Sequence, residues 1–224
     1  MNIASVCFME ADGKSRRRYD ASGRLGQARE RRERIMAAAG GLFVELGYPA
    51  TTMAAIAERA GVALDTVYAS VGSKPALFRE LVEAAISGTG QAVPAEQRDY
   101  VVAIRAESDP VEKLRIYAAA LRGIHARLAP LLGVAQAAAH SAPEIAELWT
   151  GIAERRAASM RLLAADLAAT GRLRPGLGID EAADIIWSAN SPEFYLLLVR
   201  DRGWDPARFE AFLAEAWCRL LLDA

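Results

Sequence analysis

The chain has 224 residues, a formal net charge of −1, and 53% hydrophobic against 25% charged residues. That is enough apolar material for a core, which excludes a wholly disordered chain and leaves one long domain or a small module joined to a larger one. The near-neutral total gives no global sign of nucleic acid or an anionic membrane, yet between Lys14 and Arg34 nine basic residues face only Asp20, Glu30 and Glu33.

Residues 1–26, with the run KSRRRYDASGRLGQ, lack hydrophobic periodicity and read as a mobile basic arm. The opening MNIASVCFME has no positive n-region and too short an apolar run for a signal peptide. From Arg29 the pattern turns helical: Ile35, Ala38, Ala39, Leu42, Phe43 and Leu46 fall on one face. Gly47 and Pro49 predict its end. Gly40 and Gly41 inside it each cost about 1 kcal/mol against Ala, which points to close approach of a neighbouring helix. Thr52 caps a short helix over Met53–Ala60 that Gly61 ends. A second short helix fits residues 64–70. A third starts after Ser73, with Pro75 in its first turn, and runs through Leu77, Phe78, Leu81, Val82 and Ala85.

The stretch GTGQAVP, residues 88–94, separates this unit from the larger C-terminal part of the chain. Asp109-Pro110 opens a long helix with Leu114, Tyr117, Ala118, Leu121, Ile124, His125 and Leu128 on its apolar face. Ser141-Ala142-Pro143 opens another, and Gly171, Pro175, Gly176 and Gly178 then break the chain. Helices over Ile179–Ala189 and residues 191–201 come next, divided at Pro192, and Asp205-Pro206 starts the last. No run alternates with period two, so the expected class is all-α, with no internal repeat. The least polar stretch, residues 128–139, is about a dozen residues where a spanning helix needs roughly twenty. Cys7 and Cys218 make no disulfide framework. The expectation is a soluble, cytoplasmic protein.

A helix-turn-helix needs a small residue where two helices cross, a turn residue tolerant of positive φ, and aliphatics that fix the angle. Ala57 is the small residue, Gly61 the turn, and Ile56, Ala60, Val62 and Val67 the buried set. An ordinary helical hairpin would show parts of the same pattern. The full stretch TTMAAIAERAGVALDTVYASVGSKPALF resembles the DNA-binding domain of the tetracycline-repressor (TetR) family. Thr51, Thr52, Ile56, Ala57, Ala60, Gly61, Val62, Thr66, Tyr68, Ser73 and Lys74 carry the resemblance, which extends over about residues 27–87. The segment from GRLRPGL to WSANSPEFYLLLVRDRGW resembles the C-terminal domains of one branch more loosely. Three departures stand out: Ala63 replaces the usual capping Ser, Asp65 replaces a small residue, and Ala69-Ser70-Val71 follow Tyr68.

The resemblance implies a three-helix DNA-binding domain over residues 27–87 and a ligand-binding, dimerising helical bundle over residues 95–224. Thr52 and Lys74 stand at helix N-termini, where free N–H groups favour a phosphate, and the Tyr68 hydroxyl can reach one. Leu64, Thr66 and Ala69 are the candidate base readers; Leu64 and Ala69 can meet only apolar groups such as a thymine methyl. Asp65 either accepts from a cytosine amino group or interacts with its own helix N-terminus. Lys14, Arg16, Arg17 and Arg18 either reach DNA or stay solvated.

In the larger half, Tyr117, His125, Trp149, Met160 and Trp187 are candidates to line an effector pocket, core packing being the plainer account of each. Leu198, Phe212 and Trp217 are candidates for a homodimer seam, against surplus packing within one chain. No catalytic motif, metal-site spacing or cofactor fingerprint is visible. The sequence therefore predicts a homodimeric transcriptional regulator, most simply a repressor released from a near-palindromic operator on double-stranded DNA by a largely apolar small molecule. The rival is a helical small-molecule-binding or enzymatic protein with a vestigial DNA-binding head. An activator, or a regulator without an effector, stands between them.

Overall fold

The computed structural model describes residues 13–223, with side chains from residue 23 onward. The first helix, α1 (Gly13–Ala50), starts earlier than expected. Residues 13–26, expected as a mobile arm, are helical: no proline interrupts them, and Arg, Lys, Ala, Gln and Leu are good helix formers. The arm's first twelve residues, Cys7 among them, lie outside the described residues, as do the side chains of Lys14, Arg16, Arg17 and Arg18. Gly47 breaks the helical path with φ 77° and ψ 167°, as its sequence position predicts.

Next come three short helices: α2 (Met53–Ala60), α3 (Leu64–Val71) and α4 (Lys74–Ser87). Thr52 Oγ1 accepts from the Ala55 N–H at 3.1 Å and caps α2. Gly61, left-handed at φ 65°, ends it, and the Val62 N–H returns to the Ala57 carbonyl at 3.0 Å. Ile35, Phe43, Ile56, Val67, Leu77 and Phe78, all fully buried, lock the four helices together. Leu46, placed by its spacing on the apolar face of α1, is instead exposed, because the chain turns away at Gly47. The close approach expected at Gly40 is also missing: a Cβ there would meet Leu81 at 3.7 Å, ordinary van der Waals contact.

After a 3₁₀ turn at Ala95–Gln97 come α5 (Asp99–Ala106), α6 (Pro110–Ala138), α7 (Pro143–Ala169), α8 (Ile179–Ala189), α9 (Pro192–Tyr195) and α10 (Pro206–Leu221). Leu196–Asp201 continues α9 as a π-helical stretch. Asp109, Ser191 and Asp205 cap helices that begin with proline. Helix α5 has no counterpart among the expected elements; its eight residues carry one buried side chain, Ile104, too little for an apolar rhythm. At the chain's end, Leu173 and Leu222 form an isolated antiparallel bridge.

The buried residues form two clusters, and the division does not coincide with the break at residues 88–94. Leu128, Leu131, Val134 and Ala138 from the end of α6, with Ile145 and Leu148 from α7, share one core with α1–α4. The second core gathers the start of α6, the end of α7, α8 and α10 around Trp217. Helices α6 and α7 therefore run from one core into the other.

Candidate nucleic-acid interface and cavity

Helix α3 buries only Val67 and Val71 and turns its other side outward. Leu64 (40% exposed), Asp65, Tyr68 (50%) and Ala69 form that outer face, with Thr66 half-buried beside them. Ala63 gives α3 no side-chain cap, and Asp65 sits in its first turn, where a negative charge suits the helix dipole. Thr51 and Thr52, adjacent in the motif, divide their work. Thr51 is fully buried and donates to the Gly47 carbonyl at 2.8 Å, while Thr52 is exposed at the α2 cap. Ser73 caps α4 at 3.4 Å.

Lys74 comes next, its Nζ donating to the Pro49 carbonyl at 3.3 Å and lying 4.3 Å from the centre of the Tyr48 ring. Burial lowers its pKa, a shift that Glu144 opposes. Arg32, which the motif does not mark, bonds both the Ser70 carbonyl and Glu80 and so ties α1 to α3 and α4. Thr52, Leu64, Thr66, Tyr68, Ala69 and Lys74 are thus carried by three helices that share one core.

The second feature is a partly open cavity of about 500 Å³ between α4, the segment before α5, α6 and α7, reaching Asn190 and Pro192. Tyr117, His125, Trp149 and Met160 all line it. Trp187 does not. It stands behind the wall, its Nε1 donating to the Ala153 carbonyl at 3.4 Å and its face carrying the Arg156 guanidinium at 4.6 Å. Asn190 Nδ2 donates to the Tyr117 hydroxyl at 2.6 Å, which in turn donates to Met160 Sδ at 3.4 Å.

His125 is buried with neither ring nitrogen in a well-formed hydrogen bond, and Asn190 Oδ1 and Arg156 Nε are likewise without partners. Burial, helped by nearby Arg156 and opposed by the backbone of Asn190, pushes the His125 pKa down to about 4. Burial also raises the Tyr117 hydroxyl above its ordinary value. Sequence reasoning missed Arg156 and Asn190. Arg156 sits in a charged stretch that looks solvated, and Asn190 lies at a helix end.

The cavity wall is wired to the N-terminal unit. Glu83 of α4 pairs with Arg155 of α7 and stands 3.9 Å from Arg98. Tyr48 donates to Glu144 of α7 at 3.1 Å, and Arg127 of α6 donates to the Ala85 carbonyl at 2.9 Å.

The expected dimer seam needs one correction. Trp217 is 0% exposed and stacks on Tyr117 at 5.5 Å, deep in the second core, so it cannot meet a partner chain. Phe212 is 40% exposed, with Trp204 5.5 Å and Phe194 6.3 Å away, and Leu198 is half-buried near that surface. Among the described residues, no three His, Cys, Asp or Glu side chains are grouped to hold a metal, and no helix is long and apolar enough to cross a membrane.

Residues 35–81 match the profile of bacterial regulatory proteins of the tetR family. No curated protein matches the chain in sequence. Among solved structures, NalD, the secondary repressor of the MexAB-OprM multidrug efflux pump in Pseudomonas aeruginosa, shares 23% identity over 88% of this chain and 98% of its own, with a TM-score of 0.67. SmeT, solved with triclosan, shares 18% identity over 86% and 92%, with a TM-score of 0.61. FadR, a fatty acid degradation regulator from Bacillus halodurans, shares 20% identity over 83% and 93%, with a TM-score of 0.60. Residues 35–81 thus carry the signature of the tetR family's regulatory proteins, and the chain as a whole shares the fold of these solved structures.

Proposed function

We propose that this chain is a cytoplasmic homodimeric repressor that holds a near-palindromic operator and is released from it by a small molecule. Residues 27–87 form the DNA-binding unit and residues 95–224 the effector and dimer unit. The observation that carries the reading is the pairing of an outward α3 face with a cavity whose wall is ion-paired to the neighbouring helix, through Arg155 and Glu83. Leu64, Thr66 and Ala69 read bases, while Thr52, Tyr68 and Lys74 hold phosphates. Tyr117, His125, Trp149 and Met160 meet the effector, and Trp187 acts only by holding Arg156 in place. The chain works by binding and not by catalysis. That NalD is a repressor and that SmeT was solved with triclosan is consistent with this reading.

An effector shifts the equilibrium only if it prefers one arrangement of the two heads. A ligand that pushes on Arg155 or Arg98 disturbs their pairing with Glu83, and with it the position of α4. The patch around Phe212, with Leu198 and the 56% exposed Leu197 near it, is the proposed place where two chains pair.

Capture of fragments of the chain's own genome tests the reading. The wild-type protein should enrich a small set of fragments at physiological salt. A Thr66→Ala/Tyr68→Ala variant, altered only on the accessible side of α3, should keep its fold and enrich none. Equal capture by both proteins contradicts the assignment.

A further inference from the structure

The cavity carries more positive charge than its own walls neutralise. Three arginines line it: Arg98, Arg155 and Arg156. Glu83, also in the wall, is the shared partner of Arg98 and Arg155. Among the described residues, Arg156 has no carboxylate within ion-pair distance. Glu193 acts on it only from further away, and its one close partner is the face of Trp187. A guanidinium partly withdrawn from water without a counter-charge loses hydration, and a cation–π contact recovers only part of that.

The groups beside Arg156 are also unfulfilled. His125 is 2% exposed, lines the cavity and has no well-formed hydrogen bond on either nitrogen. It lies close enough to Arg156 to feel its charge, and that charge with burial keeps the ring neutral at physiological pH. A neutral imidazole still offers one N–H donor. Most of the remaining wall is apolar or aromatic, with Tyr100, Leu121, Ile124 and Trp149, and Ser159 and Asn190 add polar groups.

We propose, building on the effector reading above, that the cavity takes a small organic acid: a single carboxylate held by Arg156 and His125, on a hydrophobic or aromatic body lying against Leu121, Ile124 and Trp149. A carboxylate matches the planar fork of a guanidinium and supplies the missing counter-charge. Glu83 balances one of the other two arginines and the Arg155 side chain is largely exposed to water, so Arg156 is the guanidinium that a single carboxylate would answer. A cationic ligand would face Arg156 with a like charge, and a neutral one would leave it uncompensated.

Calorimetric titration of the full chain without DNA tests this. The probes are 4-phenylbutanoate, 2-naphthylacetate and decanoate, each against its primary amide, and 4-phenylbutylamine. At least one acid should bind tenfold or more tightly than its amide, and the amine should not bind. Arg156→Gln should bring that acid down to the affinity of its amide and leave amide binding unchanged. The acid–amide comparison on the wild-type chain stands even if the variant misfolds. Amides binding as well as acids, a preferred amine, no acid binding at all, or an acid preference that survives in folded Arg156→Gln protein would each overturn the proposal. None of these outcomes touches the capture of genomic DNA, so the ligand class and the regulatory reading fail separately.

Discussion

His125 and Arg156 both line the cavity, and the Arg156 charge adds to burial in making the protonated form of His125 harder to hold. The folded-state pKa of His125, about 4, lies below the 6.5 of an unperturbed imidazole. Between these two values the unfolded chain binds more protons than the folded one, so falling pH favours unfolding. The contribution is complete above pH 6.5 and is lost progressively down to about pH 4. At 1.36 kcal/mol per pKa unit the loss is about 3 kcal/mol. Carboxylates titrate in the same range, so the useful quantity is the difference between wild type and His125→Gln in urea unfolding. The wild type should lose stability relative to the variant as pH falls from 7.5 to 4.5. A constant difference would mean that the ring is solvated or partnered in solution. In the N-terminal unit, Lys74 is a cation placed by the protein itself: the Pro49 carbonyl and the Tyr48 ring hold it at the start of α4.

At the scale of elements, α10 carries both a core face and an outer face, and the two sort the seam candidates. Trp217 belongs to the core, so Trp217→Ala should cost about 3–5 kcal/mol in stability, as removal of a large buried aromatic usually does. Phe212→Glu places a charge on the exposed aromatic patch and should leave the fold intact while giving monomers in sedimentation. An unchanged dimer from Phe212→Glu would move the seam off this surface. The 3-4 rhythm of α10 marked which residues are apolar but not which side faces inward, because Phe209, Phe212, Leu213, Trp217 and Leu220 make a stripe broad enough to serve two contacts. Elements with strong punctuation were legible: α2 and α4 start at Thr52 and Ser73, and α6 and α10 at Asp-Pro pairs. Helix α5 and the front of α1 were not, since neither has an apolar face long enough to show a period. The cavity was half legible. Aromatic and sulfur-bearing residues on α6 and α7 pointed inward by spacing, but Arg156 and Asn190 enter it only through tertiary packing.

At the scale of the whole molecule, α6 and α7 each belong to two cores. The cavity lies where those cores meet, and its charged wall is shared with α4, the helix that comes after the α3 face. This geometry places the cavity next to the N-terminal unit without any long chain of intermediates. The claim on which everything else depends is that two copies of this unit read duplex DNA together. Selection of bound sequences from a pool of random duplexes, with the full-length chain at physiological salt, tests it most directly. Two-fold related α3 helices should recover an inverted repeat whose half-site centres lie about 34–36 Å apart, or a multiple of that. A pool that shows no enrichment, or enriches only a single unrepeated site, would contradict the account.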